Sequence, residues 1–233
     1  MLRRAWLPLV LFVGFIVSGP SRFGLAEAGH SLLSAQQEES TSPRASTPVT
    51  FLQINDVYST VPIDGVGGLA RVATLKQEMA AAGKTPVLVI AGDFLSPSVA
   101  SSVFKGEQMV AALNAAGLDF ATLGNHEFDF GSDFLIQRMA EGKWEWVVSN
   151  VIDTNTGKPV GNAAPYVVRS YGRLKIGMIG LCLTGEQITP DNLKHLRLID
   201  PIEATATYLP ILKSQGVDAI VAITHLADRK SVV

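Results

Sequence analysis

The sequence predicts an α/β domain, layered, with a mixed sheet. Three observations carry that expectation. From residue 49 onward, apolar segments of strand length alternate with segments of helical spacing. One of them, Pro86 to Ala91 (PVLVIA), is a continuous apolar run of the type buried on both faces of a sheet. Two further strand-like runs flank Gly172-Arg173, a hairpin turn, which adds an antiparallel pair to the crossovers.

The elements follow in order. Val49 to Ile54 reads as a strand ending at the polar pair Asn55-Asp56. Leu69, Val72, Leu75 and Met79 share one face of a helix predicted over Leu69 to Ala82. Pro86 to Ala91 is the buried strand. Val103 to Ala116 is predicted as one helix closed by Gly117. Phe120 to Leu123 is a strand, Phe134 to Ala140 a helix and Trp146 to Ser149 a strand. The hairpin pairs Val167 to Tyr171 with Leu174 to Leu181. Glu203 to Ser214 is a helix, and Ala219 to Thr224 is the last strand.

Composition narrows the class. The chain has 233 residues, 47% of them hydrophobic and 17% charged, which excludes intrinsic disorder and suits one domain with a short tail. Nineteen basic against 21 acidic residues leave no basic excess, so no nucleic-acid polymer is expected as a partner. The single cysteine, Cys182, excludes an intrachain disulfide and reads as a buried, inert thiol.

The N-terminus reads as an address. Arg3 and Arg4 precede the apolar run Ala5 to Val17, and Ala26-Glu27-Ala28 offers a small-x-small cleavage site. The run is shorter than the ~20 apolar residues of a membrane span. The expected division is a signal peptide at 1–28, a polar linker at 29–48 and a folded domain at 49–233. The expected location is periplasmic or secreted, with no stable membrane partner once the signal is removed. An uncleaved anchor is the alternative.

Four strands run out directly into metal-capable side chains. The first ends in Asn55-Asp56-Val57-Tyr58 and the second in Gly92-Asp93. The third ends in Gly124-Asn125-His126-Glu127-Phe128-Asp129 and the last in Thr224-His225. In α/β sheets ligands collect outside the carboxyl ends of strands. Carboxylate, amide oxygen and imidazole together suit Mg, Mn, Zn or Fe rather than a soft thiolate site.

These blocks, with Phe51-Leu52-Gln53-Ile54 before Asn55-Asp56, Gly67-Gly68-Leu69-Ala70-Arg71 and Ile223-Thr224-His225, resemble the calcineurin-like metallophosphoesterases, in particular the exported 5′-nucleotidase branch. The resemblance covers residues 49 to 228, and Gly-Asn-His-Glu-Phe-Asp is its most specific block. It implies a four-layer α-β-β-α sandwich with mixed sheets, read here as incomplete at the C-terminus. It also implies two divalent ions (Mn, Zn, Fe, Mg or Ca) at the strand ends. By the same resemblance Asp56 is a ligand of the first ion and Asp93 bridges both. Asn125 binds the second ion and the phosphate, and His225 is another ligand of the second. His126 is the catalytic histidine, also facing substrate, and Asp129 orients it. The implied reaction is hydrolysis of a small phosphate ester, most simply a nucleotide.

The chain departs from the family pattern twice. Asp-x-His becomes Asp56-Val57-Tyr58, and a phenol of pKa about 10 is a poor ligand at neutral pH. The family's Gly-His-x-His block does not occur in the eight residues after His225. The expectation is a fragment of a longer gene product, with turnover weak or absent. Two other readings stand beside the nucleotidase: hydrolysis of another ester (cyclic phosphodiester or thiosulfate ester), and a metal-free binding module on the same fold.

Other polar residues take plainer readings. Glu127 reads as structural or solvent-facing. Asn150, at the end of a predicted strand, is a further candidate for lining the pocket, and Tyr58 a further candidate ligand. Trp144 and Trp146 read as packing, and His195 as surface. Gly65-Val66-Gly67-Gly68 lacks the phosphate-loop pattern and reads as the turn into a helix.

Overall fold

The structure is a computed structural model that describes Phe12–Val13 and residues 48–185 and 187–226. Apart from Phe12–Val13, the expected signal peptide lies outside the described residues, and so does most of the expected linker. No helix among the described residues is long and apolar enough to cross a membrane.

Five strands build the first sheet. They are β1 (Phe12–Val13), β2 (Thr50–Ile54), β3 (Pro86–Ala91), β4 (Phe120–Thr122) and β5 (Glu145–Trp146), in that spatial order. β2 through β5 are parallel, with Leu52 beside Leu88, Ile90 beside Ala121 and Phe120 beside Glu145. β1 pairs antiparallel with the free edge of β2. The crossovers carry α1 (Leu69–Ala81), α2 (Val99–Phe104), α3 (Glu107–Ala116) and α4 (Ser132–Glu141).

A second sheet holds β8 (Val167–Tyr171), β9 (Leu174–Cys182) and β11 (Ala219–His225), in the order β11-β9-β8. β8 and β9 form the hairpin that Gly172-Arg173 predicts, and β11 runs parallel to β9 after the crossover helix α6 (Pro201–Ser214). A small third sheet, β10 (Leu196–Leu198), β6 (Val151–Asp153) and β7 (Lys158–Pro159), is entirely antiparallel. The short helix α5 (Pro190–Leu193) precedes β10.

The period-two alternation of the strands sorts the core into layers. Leu52, Ile54, Leu88, Ile90 and Ala121 face Leu69 and Met79 of α1, Met109 and Leu113 of α3 and Leu135 of α4. Val87, Val89, Ala91 and Phe120, from the opposite face, meet Val167, Ile176, Met178 and Ile223 of the second sheet. That sheet's outer face packs Ile179 and Leu181 on Ala204 and Leu212 of α6. Helices, sheet, sheet and helix therefore stack in four layers, as the resemblance implies. PVLVIA is buried at every position because it is the strand with apolar layers on both sides.

The sheets touch most closely at Gly180. A Cβ there would lie 1.7 Å from the carbonyl oxygen of Val147, so only glycine fits. Just beyond, Ser149 N donates to Gly180 O at 2.7 Å, and Gly180 N donates to Ser149 Oγ at 3.1 Å.

Two predicted elements differ. The helix expected over Val103 to Ala116 is two helices, parted at Lys105 and Gly106, both with positive φ (50° and 86°). Two consecutive left-handed residues stop one helix and re-aim the next. The strand expected over Trp146 to Ser149 keeps its last hydrogen bond to the first sheet at Val147, whose N donates to Ala121 O at 2.8 Å. Val147 also bridges Ala164, and Ser149 engages the second sheet.

Candidate metal centre and active site

The carboxyl ends of β2, β3 and β4 lie side by side because the strands are parallel and neighbouring. β11 brings its own carboxyl end against them from the second sheet: His225 Nδ1 lies 2.8 Å from the carbonyl of Ala91, the last residue of β3. Four chain segments far apart in sequence thus meet at one point.

Asp56 and Asp93 both take a left-handed backbone, φ 54° and 58°, at strand ends. For a non-glycine residue such a conformation costs about 1–3 kcal/mol and needs support from its surroundings. Asp56 N donates to Gly92 O at 3.3 Å, which ties the first loop to the second. Asp93 is buried, 3% exposed, and its Oδ1 accepts the backbone N–H of His126 at 2.9 Å. Oδ2 is left to face His225 Nε2 at 3.3 Å, Tyr58 Oη at 3.2 Å and His126 Nε2 at 4.0 Å.

Oxygen atoms of Asp56 and Asp93 and a ring nitrogen of His225 all lie within 4.8 Å of one another. Two carboxylates and an imidazole at that spacing fit a hard or borderline divalent ion. Their electrostatics in the metal-free protein are those of an ion pair. Burial of Asp93 works against its charge, but the hydrogen bond and charge of His225 outweigh it, and its pKa falls below the ordinary carboxylate value. Burial likewise disfavours a charged His225, yet the Asp93 carboxylate and the Ala91 carbonyl raise its pKa to about 9.

Tyr58 stands where the resemblance implies a histidine. Its hydroxyl donates to Asp56 Oδ1 at 2.9 Å and faces Asp93 Oδ2 at 3.2 Å. Burial first, then the charge of Asp93, push its pKa up. The phenol therefore keeps its proton and holds two carboxylates whose charges would otherwise repel.

His126 begins a 3-10 turn, His126–Phe128, immediately after β4 and Gly124-Asn125. Its Nδ1 lies 2.8 Å from Asp129 Oδ2. A carboxylate can only accept there, so Nδ1 carries the hydrogen and Nε2 is left toward the Asp93 side. The ring stands edge-on to Tyr58, with centroids 6.0 Å apart. Asn125 is half-buried beside it, and its carbonyl accepts the N–H of Phe128 at 3.2 Å.

Asn150 is not in this cluster. It is fully buried, and its side chain is spent on backbone: Nδ2 donates to Cys182 O at 2.7 Å and Ile199 O at 3.0 Å, while Oδ1 accepts from Cys182 N at 2.9 Å. Cys182 is the register partner of His225, so Asn150 braces the strand beside the histidine without lining the pocket. Cys182 is a buried thiol whose pKa burial raises well above the ordinary value. Trp144 and Trp146 are buried and pack with Phe94.

Of the two readings of Glu127, structural or solvent-facing, the structure bears out the first. Glu127 is 1% exposed, not solvent-facing, and its carboxylate accepts four backbone N–H groups, from Asp93, Phe94, Leu95 and Gly124. Burial and the charge of Asp93 raise its pKa, and the N–H groups of Phe94, Asp93 and Gly124 pull the other way. The signal available in the sequence was an acidic residue inside the block Gly124 to Asp129. Nothing there shows that its partners lie on another strand's loop.

The calcineurin-like phosphoesterase family profile matches residues 49–231, and this chain belongs to that family. Membership implies divalent metal ions, in agreement with the grouping of Asp56, Asp93 and His225. Nucleotidases are among its relatives. It is 30% identical to a probable 5′-nucleotidase of Treponema pallidum over 199 residues, which cover 78% of this chain and 33% of that one. It is also 30% identical to a 2′,3′-cyclic-nucleotide 2′-phosphodiesterase/3′-nucleotidase of Haemophilus influenzae over 201 residues, 78% of this chain and 30% of that one. The fold superimposes on the structure of the Haemophilus influenzae NAD nucleotidase with a TM-score of 0.70 at 25% identity, covering 79% of this chain and 35% of that one. The chain thus spans about a third of the length of the relatives it matches.

Proposed function

We propose that this domain hydrolyses the phosphate ester of a nucleotide at a site loaded with two divalent ions, after export from the cytoplasm. The carrying observation is the approach of Asp56, Asp93 and His225 to within 4.8 Å, with the His126–Asp129 pair alongside. On this reading Asp56, Asp93, Asn125 and His225 are the metal ligands, and the folded domain that remains after export begins at residue 49, without β1. The apolar run Ala5 to Val17 after Arg3-Arg4 supports export.

When bound, the ions supply Lewis-acid activation of the attacking water and neutralise charge on the phosphoryl oxygens. The rest is the work of the chain. Asp129 holds the Nδ1 hydrogen of His126 and so turns Nε2 toward the substrate. A protonated Nε2 donates to the oxygen that becomes the leaving alkoxide, the step a positioned histidine serves best. The amide of Asn125 donates to a phosphoryl oxygen and fixes its orientation, which is most of what phosphoryl transfer demands. Tyr58 keeps Asp56 and Asp93 together before any cation arrives.

The test is release of inorganic phosphate from AMP by the full chain with added Mn2+, set against Asp93→Asn and His126→Ala. Metal-dependent release, weak in this chain and abolished by both substitutions, is expected. Release indifferent to both substitutions overturns the reading. A cyclic nucleotide belongs in the same assay, because one relative carries both 2′-phosphodiesterase and 3′-nucleotidase in its name.

A further inference from the structure

We propose that Glu127 is a positioning residue for the metal centre, a buried clasp that joins the loops after β3 and β4 and thereby fixes the carboxylate of Asp93. The proposal rests on the metal-centre reading above. Glu127 is too deeply buried to meet substrate or solvent, at 1% exposure. Both its oxygens are occupied: Oε2 accepts from Asp93 N at 2.7 Å and Gly124 N at 2.6 Å, and Oε1 from Phe94 N at 2.8 Å and Leu95 N at 3.1 Å. Three of these donors are consecutive residues of one loop and the fourth belongs to the other. A run of successive N–H groups ordinarily forms an anion-binding concavity. Here the protein's own carboxylate fills it.

The clasp is reciprocal. Glu127 accepts the N–H of Asp93, and the Asp93 side chain accepts the N–H of His126, one residue before Glu127. That second bond occupies Oδ1 of Asp93 and leaves Oδ2 aimed at His225. The loops are also pressed together: a Cβ on Gly92 would lie 2.5 Å from Gly124 N, and one on Gly124 would lie 2.2 Å from Asp93 Oδ1. Two backbones in contact with no side chain between them need a common acceptor for their N–H groups, and Glu127 is that acceptor. Partners behind a ligand set its aim, and their loss weakens metal binding about 10–100-fold.

Glu127→Gln is the informative variant. It keeps the volume but turns an amide NH2 toward N–H donors. Glu127→Asp keeps the charge and withdraws it by one methylene. Mn2+ titrated calorimetrically is expected to bind Glu127→Gln about 10–100-fold more weakly than the unsubstituted chain, with Glu127→Asp between them. Equal affinity in a folded Glu127→Gln overturns the proposal. Amide exchange supplies a readout free of metal. In the unsubstituted chain the N–H groups of Asp93, Phe94, Leu95 and Gly124 are expected to exchange as slowly as those of β3. In Glu127→Gln they are expected to speed up about 10-fold or more while β8 is unchanged. Fast exchange at these four amides in the unsubstituted chain overturns the clasp even if no variant folds. Slow exchange there, in a chain that takes up no Mn2+, leaves the clasp standing and removes the metal-centre reading instead.

Discussion

His225 in the second sheet points Nε2 at Oδ2 of Asp93 in the first, 3.3 Å away, while its Nδ1 meets the carbonyl of Ala91 at 2.8 Å. Both ring nitrogens face acceptors, so without metal the ring is held as the imidazolium, with a pKa raised to about 9. A histidine that ligates a cation must be neutral.

Metal uptake should therefore expel a proton. Between pH 7 and about 9, Mn2+ affinity is expected to climb about tenfold per pH unit and then level off. Asp93, whose pKa is lowered, is already ionised in that range and adds nothing to the slope. Calorimetry in buffers of different ionisation heat would count the proton; a flat pH profile would contradict the assignment of His225.

The same pair sets the pH stability of the metal-free protein. The raised histidine contributes fully below the unfolded value of about 6.5, and its contribution disappears as pH rises through about 9. The lowered carboxyl contributes above about 3.9 and is lost as pH falls through its folded value. Thermal melts in chelator should show a lower midpoint at pH 10 than at pH 6.5. His225→Ala should flatten the alkaline limb.

Tyr58 separates two roles by substitution. Tyr58→Phe removes a donor shared by Asp56 and Asp93 and is expected to destabilise the metal-free protein by about 1 kcal/mol. Tyr58→His places an imidazole between the same carboxylates and is expected to tighten Zn2+ binding. Weaker binding in Tyr58→His would show that the phenol itself serves the cation.

Gly124→Ala tests the contact between loops. The added methyl group would sit 2.2 Å from Asp93 Oδ1 and 2.9 Å from Asp93 N, so the aspartate must move. A loss of about 1–3 kcal/mol in stability is expected from the overpacking, along with weaker Mn2+ binding. Chemical denaturation and calorimetry on the same preparation check both.

Asn150→Ala should act on stability alone. It strands the N–H and carbonyl of Cys182 and the carbonyl of Ile199 in the interior, a loss of about 2–4 kcal/mol. The number of Mn2+ ions bound should stay as it is. A changed metal count would return Asn150 to the pocket.

Much of the fold was legible because burial writes itself into period and composition. Pro86 to Ala91 could only be a two-sided strand, Gly172-Arg173 could only turn a hairpin, and Leu69, Val72, Leu75 and Met79 fixed the buried side of α1. The break at Lys105-Gly106 left one mark, the glycine inside an apolar helical run, while a lysine in a left-handed conformation leaves none. The third sheet was hidden because its strands are only two or three residues long, too short to show alternation. Within the site, each strand end announced its polar residue. What the sequence withheld was the pairing: that Asp93 shares the Tyr58 hydroxyl with Asp56, and that Glu127 serves the loop of a different strand. The contacts of Asp93 with Tyr58 and with Glu127 span 35 and 34 residues, and no local pattern encodes them.

The carboxylates of Asp56 and Asp93 hang from one layer of the sandwich and His225 from the other. A cation seated among them would act as a rivet through both sheets, and slippage between them would have to tear it out. Chelation should then loosen the structure first along β11, whose grip on the rest would fall back on β9 and the apolar seam around Ile223.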